Sequence, residues 1–114
     1  MVEAGKNPMK IVDIATVQKS FTVPERYWYV RAIGNSPETK PRDLEVFLDD
    51  QSLNVVCMAY VGLGKRGTHQ LIGPLLAKLR REPNWYIQWY AYRTLRQIGW
   101  IQKSKLSFNN TNDD

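Results

Sequence analysis

Leu53–Gly67 reads LNVVCMAYVGLGKRG, and Trp85–Gly99 reads WYIQWYAYRTLRQIG. Laid over one another at an offset of 32 residues, they match at Val55 with Ile87, Ala59 with Ala91, Leu63 with Leu95 and Gly67 with Gly99. Within each copy the apolar positions fall at i, i+4 and i+8, which is one face of an α-helix. The alanine in the middle lets a neighbouring helix come close. The glycine is expected to end each helix, where a positive φ is often needed.

Between the copies lies THQLIGPLLAKLRRE, Thr68 to Glu82. Leu71, Ile72, Leu75, Leu76 and Leu79 step by three and four, so a second amphipathic helix is predicted there. Thr68 is the expected cap. Gly73 and Pro74 weaken the start, because proline is tolerated only in a first turn. Pro83 is expected to open the next helix. A looser copy precedes this pair. PERYWYVRAIGNS, from Pro24, reads as a first helix, and PRDLEVFLDD, from Pro41, as a second with Leu44, Phe47 and Leu48 apolar. Leu44 and Leu48 stand 31 residues before Leu75 and Leu79. A unit of helix, turn and helix at that period belongs to the repeat proteins. Ahead of it, Ile11, Ile14 and Val17 step by three within MKIVDIATVQKSF, which suits a short helix packed on the first unit.

The order Val, Ala, Leu-Gly, short loop, Leu-Leu-x-x-Leu, charged turn resembles the short HEAT-like repeats of the phycobilisome-lyase type. Asn54–Gly99 carries the pattern most fully, and Pro24–Asp50 more loosely. The resemblance implies an all-α fold, an α–α superhelix or solenoid of two to three helical hairpins, with about five or six helices. It is a packing motif and says little about function. The sequence departs from the family at the turns, where Asp49 and Asp50 become Arg80 and Arg81 in the next copy.

One domain fits in 114 residues. Residues 1–9 and the tail 107–114 (SFNNTNDD) are too polar to offset their ordering entropy, so the folded domain is expected at 10–106. No apolar run reaches membrane length, and no signal peptide is evident, so a soluble cytoplasmic protein is the expectation. The single cysteine, Cys57, excludes an internal disulfide and sits in an apolar run, where a buried, inert thiol is expected.

Catalytic chemistry finds few residues. One histidine, His69, and one cysteine make neither a metal site nor an oriented nucleophile. Gly62, Gly64 and Gly67 spell GxGxxG, with Glu82 twenty residues beyond the first. A dinucleotide fingerprint would need parallel strands that the chain does not offer. Bilin attachment, suggested only by the family resemblance, and nucleotide binding are thus minor alternatives. No catalytic residue, metal, cofactor, membrane contact or small-molecule substrate is predicted.

Binding has more to work with. On the helix from Asn84, Ile87, Ala91, Leu95 and Ile98 make the core stripe. Trp85, Trp89 and Tyr92 make a second stripe running to Arg96, and Tyr86, Tyr90 and Arg93 a third. A helix apolar on so many sides is covered on more than one. Either these rings fill the core, or Trp85, Trp89, Tyr92, Tyr86 and Trp100 meet a protein partner or a second copy. The charge points to a second surface. Residues 62–105 hold nine Lys and Arg against one acid, Glu82, whereas residues 1–61 are nearly balanced. Lys65, Arg66, Lys78, Arg80, Arg81, Arg93 and Arg96 are the candidates for an anion or nucleic-acid site. The function expected is a protein-interaction or scaffolding module, with nucleic-acid binding as the alternative.

Overall fold

A computed structural model describes residues 13–66 and 68–105, with side chains to residue 99. The expectations for residues 1–9, Ile11, Gly67, 107–114 and the Trp100 side chain lie outside the described residues. Among the described residues the fold is all-α. Six α-helices follow in order: α1 (Ile14–Ser20), α2 (Val23–Gly34), α3 (Pro41–Glu45), α4 (Leu53–Arg66), α5 (Ile72–Arg81) and α6 (Trp85–Lys105). Short 3-10 turns, Val46–Asp49 and His69–Leu71, extend α3 and lead into α5. No helix among these residues is long and apolar enough to cross a membrane.

Local chemistry sets the helix starts. Thr22 and Glu25 form a reciprocal capping box at α2: Glu25 N–H donates to Thr22 Oγ1 at 3.3 Å, and Thr22 N–H donates to the Glu25 carboxylate at 2.8 Å. Pro24 fits the first turn that follows. At α6 the cap is Asn84, whose Oδ1 accepts from the N–H groups of Tyr86 (2.8 Å) and Ile87 (3.2 Å). Pro83, expected inside the first turn, therefore lies before the helix. Thr68, expected to cap α5, makes no side-chain cap and precedes the 3-10 turn instead. Pro74 then falls in the first turn of α5, where its missing N–H costs nothing.

Helix α4 lies between α2 and α6, while α3 with its 3-10 turn packs on α4 and α5 packs on α6. Val55, Ala59 and Leu63, the stripe read from the sequence, are fully buried. In α6, Ala91, Thr94 and Ile98 are buried and Ile87 and Leu95 half-buried. Val17 anchors α1 in the same core, and Tyr29 meets Phe21 and Phe47 at ring-centroid distances of 6.3 and 5.9 Å.

Polar contacts between residues about thirty apart fix the register of the three long helices. Gly34 faces Gly62 so closely that a Cβ on Gly34 would stand 3.3 Å from the Gly62 Cα. The α2–α4 seam also carries the Lys65–Asn35 hydrogen bond. The α4–α6 seam carries the buried hydrogen bond from Thr94 Oγ1 to the Tyr60 carbonyl, 2.9 Å, and the Gln97 side chain lies over Gly64. The Arg26 guanidinium forks onto Asp50 at 2.8 and 3.1 Å, tying the start of α2 to the entry of α4.

Gly99 does not end its helix. Its backbone stays out of the left-handed region, and α6 runs on to Lys105 without the break expected near Trp100. Glycine merely weakens a helix interior by about 1 kcal/mol relative to alanine, and here the flanking turns hold.

Candidate functional site

The side of α6 turned away from α4 and α5 carries rings and guanidinium groups. Trp85 is 73% exposed, Trp89 52% and Tyr92 55%, so these rings do not fill the core. Tyr86 is exposed beside them, and Tyr90 is half-buried at their root. The rings contact one another edge to face. Trp85 meets Tyr86 at 5.7 Å, Tyr86 meets Tyr90 at 5.5 Å, and Trp89 meets Tyr90 at 4.9 Å. Arg93 lies over the Trp89 ring at 5.6 Å and Arg96 over Tyr92 at 5.9 Å. These stacks follow from the i, i+4 spacing, which puts each arginine one turn above its ring.

A comparison along the chain explains why this side is open. The 32-residue offset maps Cys57, Tyr60 and Gly64 of α4 onto Trp89, Tyr92 and Arg96 of α6. Cys57, Tyr60 and Gly64 are buried, and Gly64 lies directly under α6. Thirty residues before Gly64, Gly34 lies in the α2–α4 seam against Gly62. The side that receives the next helix thus presents Gly34, then Gly64, then Arg96. With arginine and large rings there, no helix can approach α6 as closely as α6 approaches α4.

The seven cations of the candidate anion site separate. Arg66 Nη2 donates to the carbonyls of Ile33 (3.2 Å), Gly34 (2.7 Å) and Ser36 (2.7 Å), the open C-terminal end of α2. Lys65 is held by Asn35, and Lys78 pairs with Asp49 at 2.6 Å. Arg80 and Arg81 are exposed at the end of α5, and Arg93 and Arg96 lie on α6. The seven candidates therefore stand at the ends of α4 and α5 and along α6, and Arg66 serves as a cap on the end of α2. Nothing in spacing alone marked that role, because its acceptors are main-chain atoms thirty residues away.

Two glycines of the motif, Gly62 and Gly64, lie in helix seams. Gly62 and Gly64 lie inside α4, where their N–H groups belong to the helix and cannot cradle a phosphate. VVCMAYV is helix, not strand. His69 is exposed in a 3-10 turn. Among the described residues no group of three His, Cys, Asp or Glu side chains stands close enough to hold a metal ion. A surface groove of about 530 Å³ between Lys40–Glu45 and Thr68–Pro74 is lined by none of the candidate binding residues.

Cys57 is buried, and desolvation, with Glu82 adding repulsion, pushes its thiol from 9.0 to about 11. Burial, with Glu82 and Asp49 contributing, pushes Tyr60 from 10.0 to about 12. Both groups fold in their neutral form. Their stabilisation is complete below pH 9 and is lost as pH rises through the folded-state values. Urea melts should show stability falling from pH 9 upward, by about 1–3 kcal/mol at pH 11 for the thiol alone. Cys57→Ala should flatten the first part of that fall. Equal stability of the parent chain at pH 8 and 11 would contradict this account.

The site residues that the sequence reading passed over are Trp28 and Arg31 of α2. Trp28 is 58% exposed with the Arg31 guanidinium 4.9 Å above its ring. The signal was available as an aromatic followed by arginine at i+3, one residue closer than the i+4 pairs on α6. The chain matches no protein-family model, no curated protein and no solved structure.

Proposed function

We propose that this chain is a HEAT-like helical-hairpin module, stacked as a short solenoid, that docks another protein through the exposed side of α6 and catalyses no reaction of its own. In this reading α2, α4 and α6 are the first helices of successive repeats, and α3 with its 3-10 turn and α5 are the second helices. The carrying observation is the exposure of Trp85, Trp89 and Tyr92 on a side where α4 is covered. Rings of this kind bury about 150–250 Å² each. Covering two or three of them is worth several kcal/mol at about 25 cal/mol per Å². Trp, Tyr and Arg are also the residues that dominate binding energy at protein interfaces. The nucleic-acid alternative has less support, because Arg66 is held on main-chain carbonyls and Lys78 is paired with Asp49.

The test places the photo-crosslinker benzoylphenylalanine at Trp89 and, as a control, at exposed Thr16 of α1. After illumination in cells making the protein, position 89 should give polypeptide adducts that resist nuclease, and position 16 should not. Adducts at 89 no stronger than at 16, or adducts removed by nuclease, reject the reading.

A further inference from the structure

We infer that the docking surface continues from α6 across the outer side of α4 to Trp28 and Arg31 on α2, and that its occupant is an extended acidic segment of another polypeptide laid across the three helices. This rests on the protein-docking reading above.

The placement comes from the register. On α2 the buried residues are Tyr29, Val30, Ile33 and Gly34, so Trp28 and Arg31 project from the opposite side. Gly34 against Gly62 and Asn35 against Lys65 set α2 beside α4. Gln97 over Gly64 and Thr94 against Tyr60 set α6 beside α4. In that register Trp28, Met58 and Tyr90 stand within about one helical turn of one another across the helices, and so do Arg31, Val61 and Arg93. Met58 and Val61 are half-buried, so they offer an apolar floor between two exposed ring-and-guanidinium pairs. Packed helix axes stand about 8–10 Å apart, which puts α2 and α6 roughly 16–20 Å apart. An extended chain covers that in about five or six residues.

The charge selects the occupant. α6 contains no Asp or Glu, and among the described residues neither Arg31, Arg93 nor Arg96 forms an ion pair with a carboxylate. Glu25 at the α2 end is bound to Thr22 in the capping box. A guanidinium lying over a ring keeps its edge N–H groups directed outward, which suits the two oxygens of a carboxylate. A nucleic acid would instead bring a phosphate at every nucleotide. Among the described residues α4 carries its cations, Lys65 and Arg66, only in its last turn, and none beside Met58 and Val61 to meet one. Carboxylates at both ends of a short apolar stretch match the surface.

The experiment selects random sixteen-residue peptides on the full chain and measures the winners by fluorescence anisotropy. Enrichment in Asp and Glu flanking apolar residues is expected. Affinity should fall about tenfold or more with Trp28→Ala, Arg31→Glu or Trp89→Ala, and Trp28→Phe should retain most of it. Trp28 is mainly exposed, so its variants should melt like the parent by circular dichroism. Binding that depends on Trp89 but ignores Trp28 would overturn this inference and leave the α6 reading standing. Selected peptides without an acidic bias would also overturn it. An oligothymidylate that binds tighter than any peptide and is lost with the same variants would overturn both.

Discussion

Gly62→Val should lower stability by about 3 kcal/mol, a fall in melting temperature of roughly 12–24 °C for a domain of this size. A Cβ at Gly62 stands 3.0 Å from the Gly34 Cα and 3.0 and 3.2 Å from the two δ-carbons of Leu44. Gly34 is main chain in a packed helix and cannot swing aside, and Leu44 is fully buried. The two further methyl groups of valine must separate α2 from α4 or displace Leu44. Gly64→Ala provides the contrast. Its Cβ meets the Gln97 Oε1 at 2.5 Å, a tighter number but the far end of a flexible, exposed side chain. Gln97 can rotate away, and alanine favours the helix by about 1 kcal/mol over glycine. Gly64→Ala should therefore be neutral to stabilising. Chemical denaturation of both variants decides the matter. A Gly62→Val chain as stable as the parent would mean that the α2–α4 seam is looser than described.

The second large effect is expected at Arg66. Replacing it with methionine keeps the apolar stem but removes the donor that satisfies the carbonyls of Ile33, Gly34 and Ser36. Hydrogen bonds to a charged group contribute about 1.5–3 kcal/mol. The helix terminus also loses a cation beside its negative end. A loss of about 2–3 kcal/mol follows. Arg66→Lys should recover only part of it, because all three carbonyls accept from the one Nη2, and the shorter lysine stem brings its ammonium less far toward them. Neither variant should alter the affinity of a peptide bound over α6. Lost binding with unchanged stability would return Arg66 to the surface and reject its role as a cap.

The same two positions indicate how far the one-dimensional pattern reaches. Val55, Ala59 and Leu63 were recognisable as a buried face because helical periodicity is a local property, and solvent exclusion along that face follows from it. The capping box at Thr22 and Glu25 is local too, and Pro24 marks the same start. Gly99 was misread because glycine ends a helix only when the backbone turns left-handed, a condition its sequence neighbours do not impose. Pro83 was misread because Asn84 competes for the cap, and the side chain that reaches the free N–H groups wins.

The sequence by itself determined the helices, their apolar stripes and the excess of rings and arginines on Trp85–Arg96. It also determined the thirty-residue spacing at which the long helices correspond. The tertiary structure alone decided how far the two aromatic stripes beside the core stripe of α6 stay open, since rings on one helix can be covered or exposed until α4 and α5 take their places. It alone separated Arg66, which closes the end of α2, from Arg93 and Arg96, which lie over exposed rings. It alone left Trp28 exposed on α2 with Arg31 over its ring. The physical reason is common to all three. Helix formation depends on residues three and four apart, whereas the fate of a charge or ring depends on atoms about thirty residues away, brought near by packing at Gly34, Gly62 and Gly64.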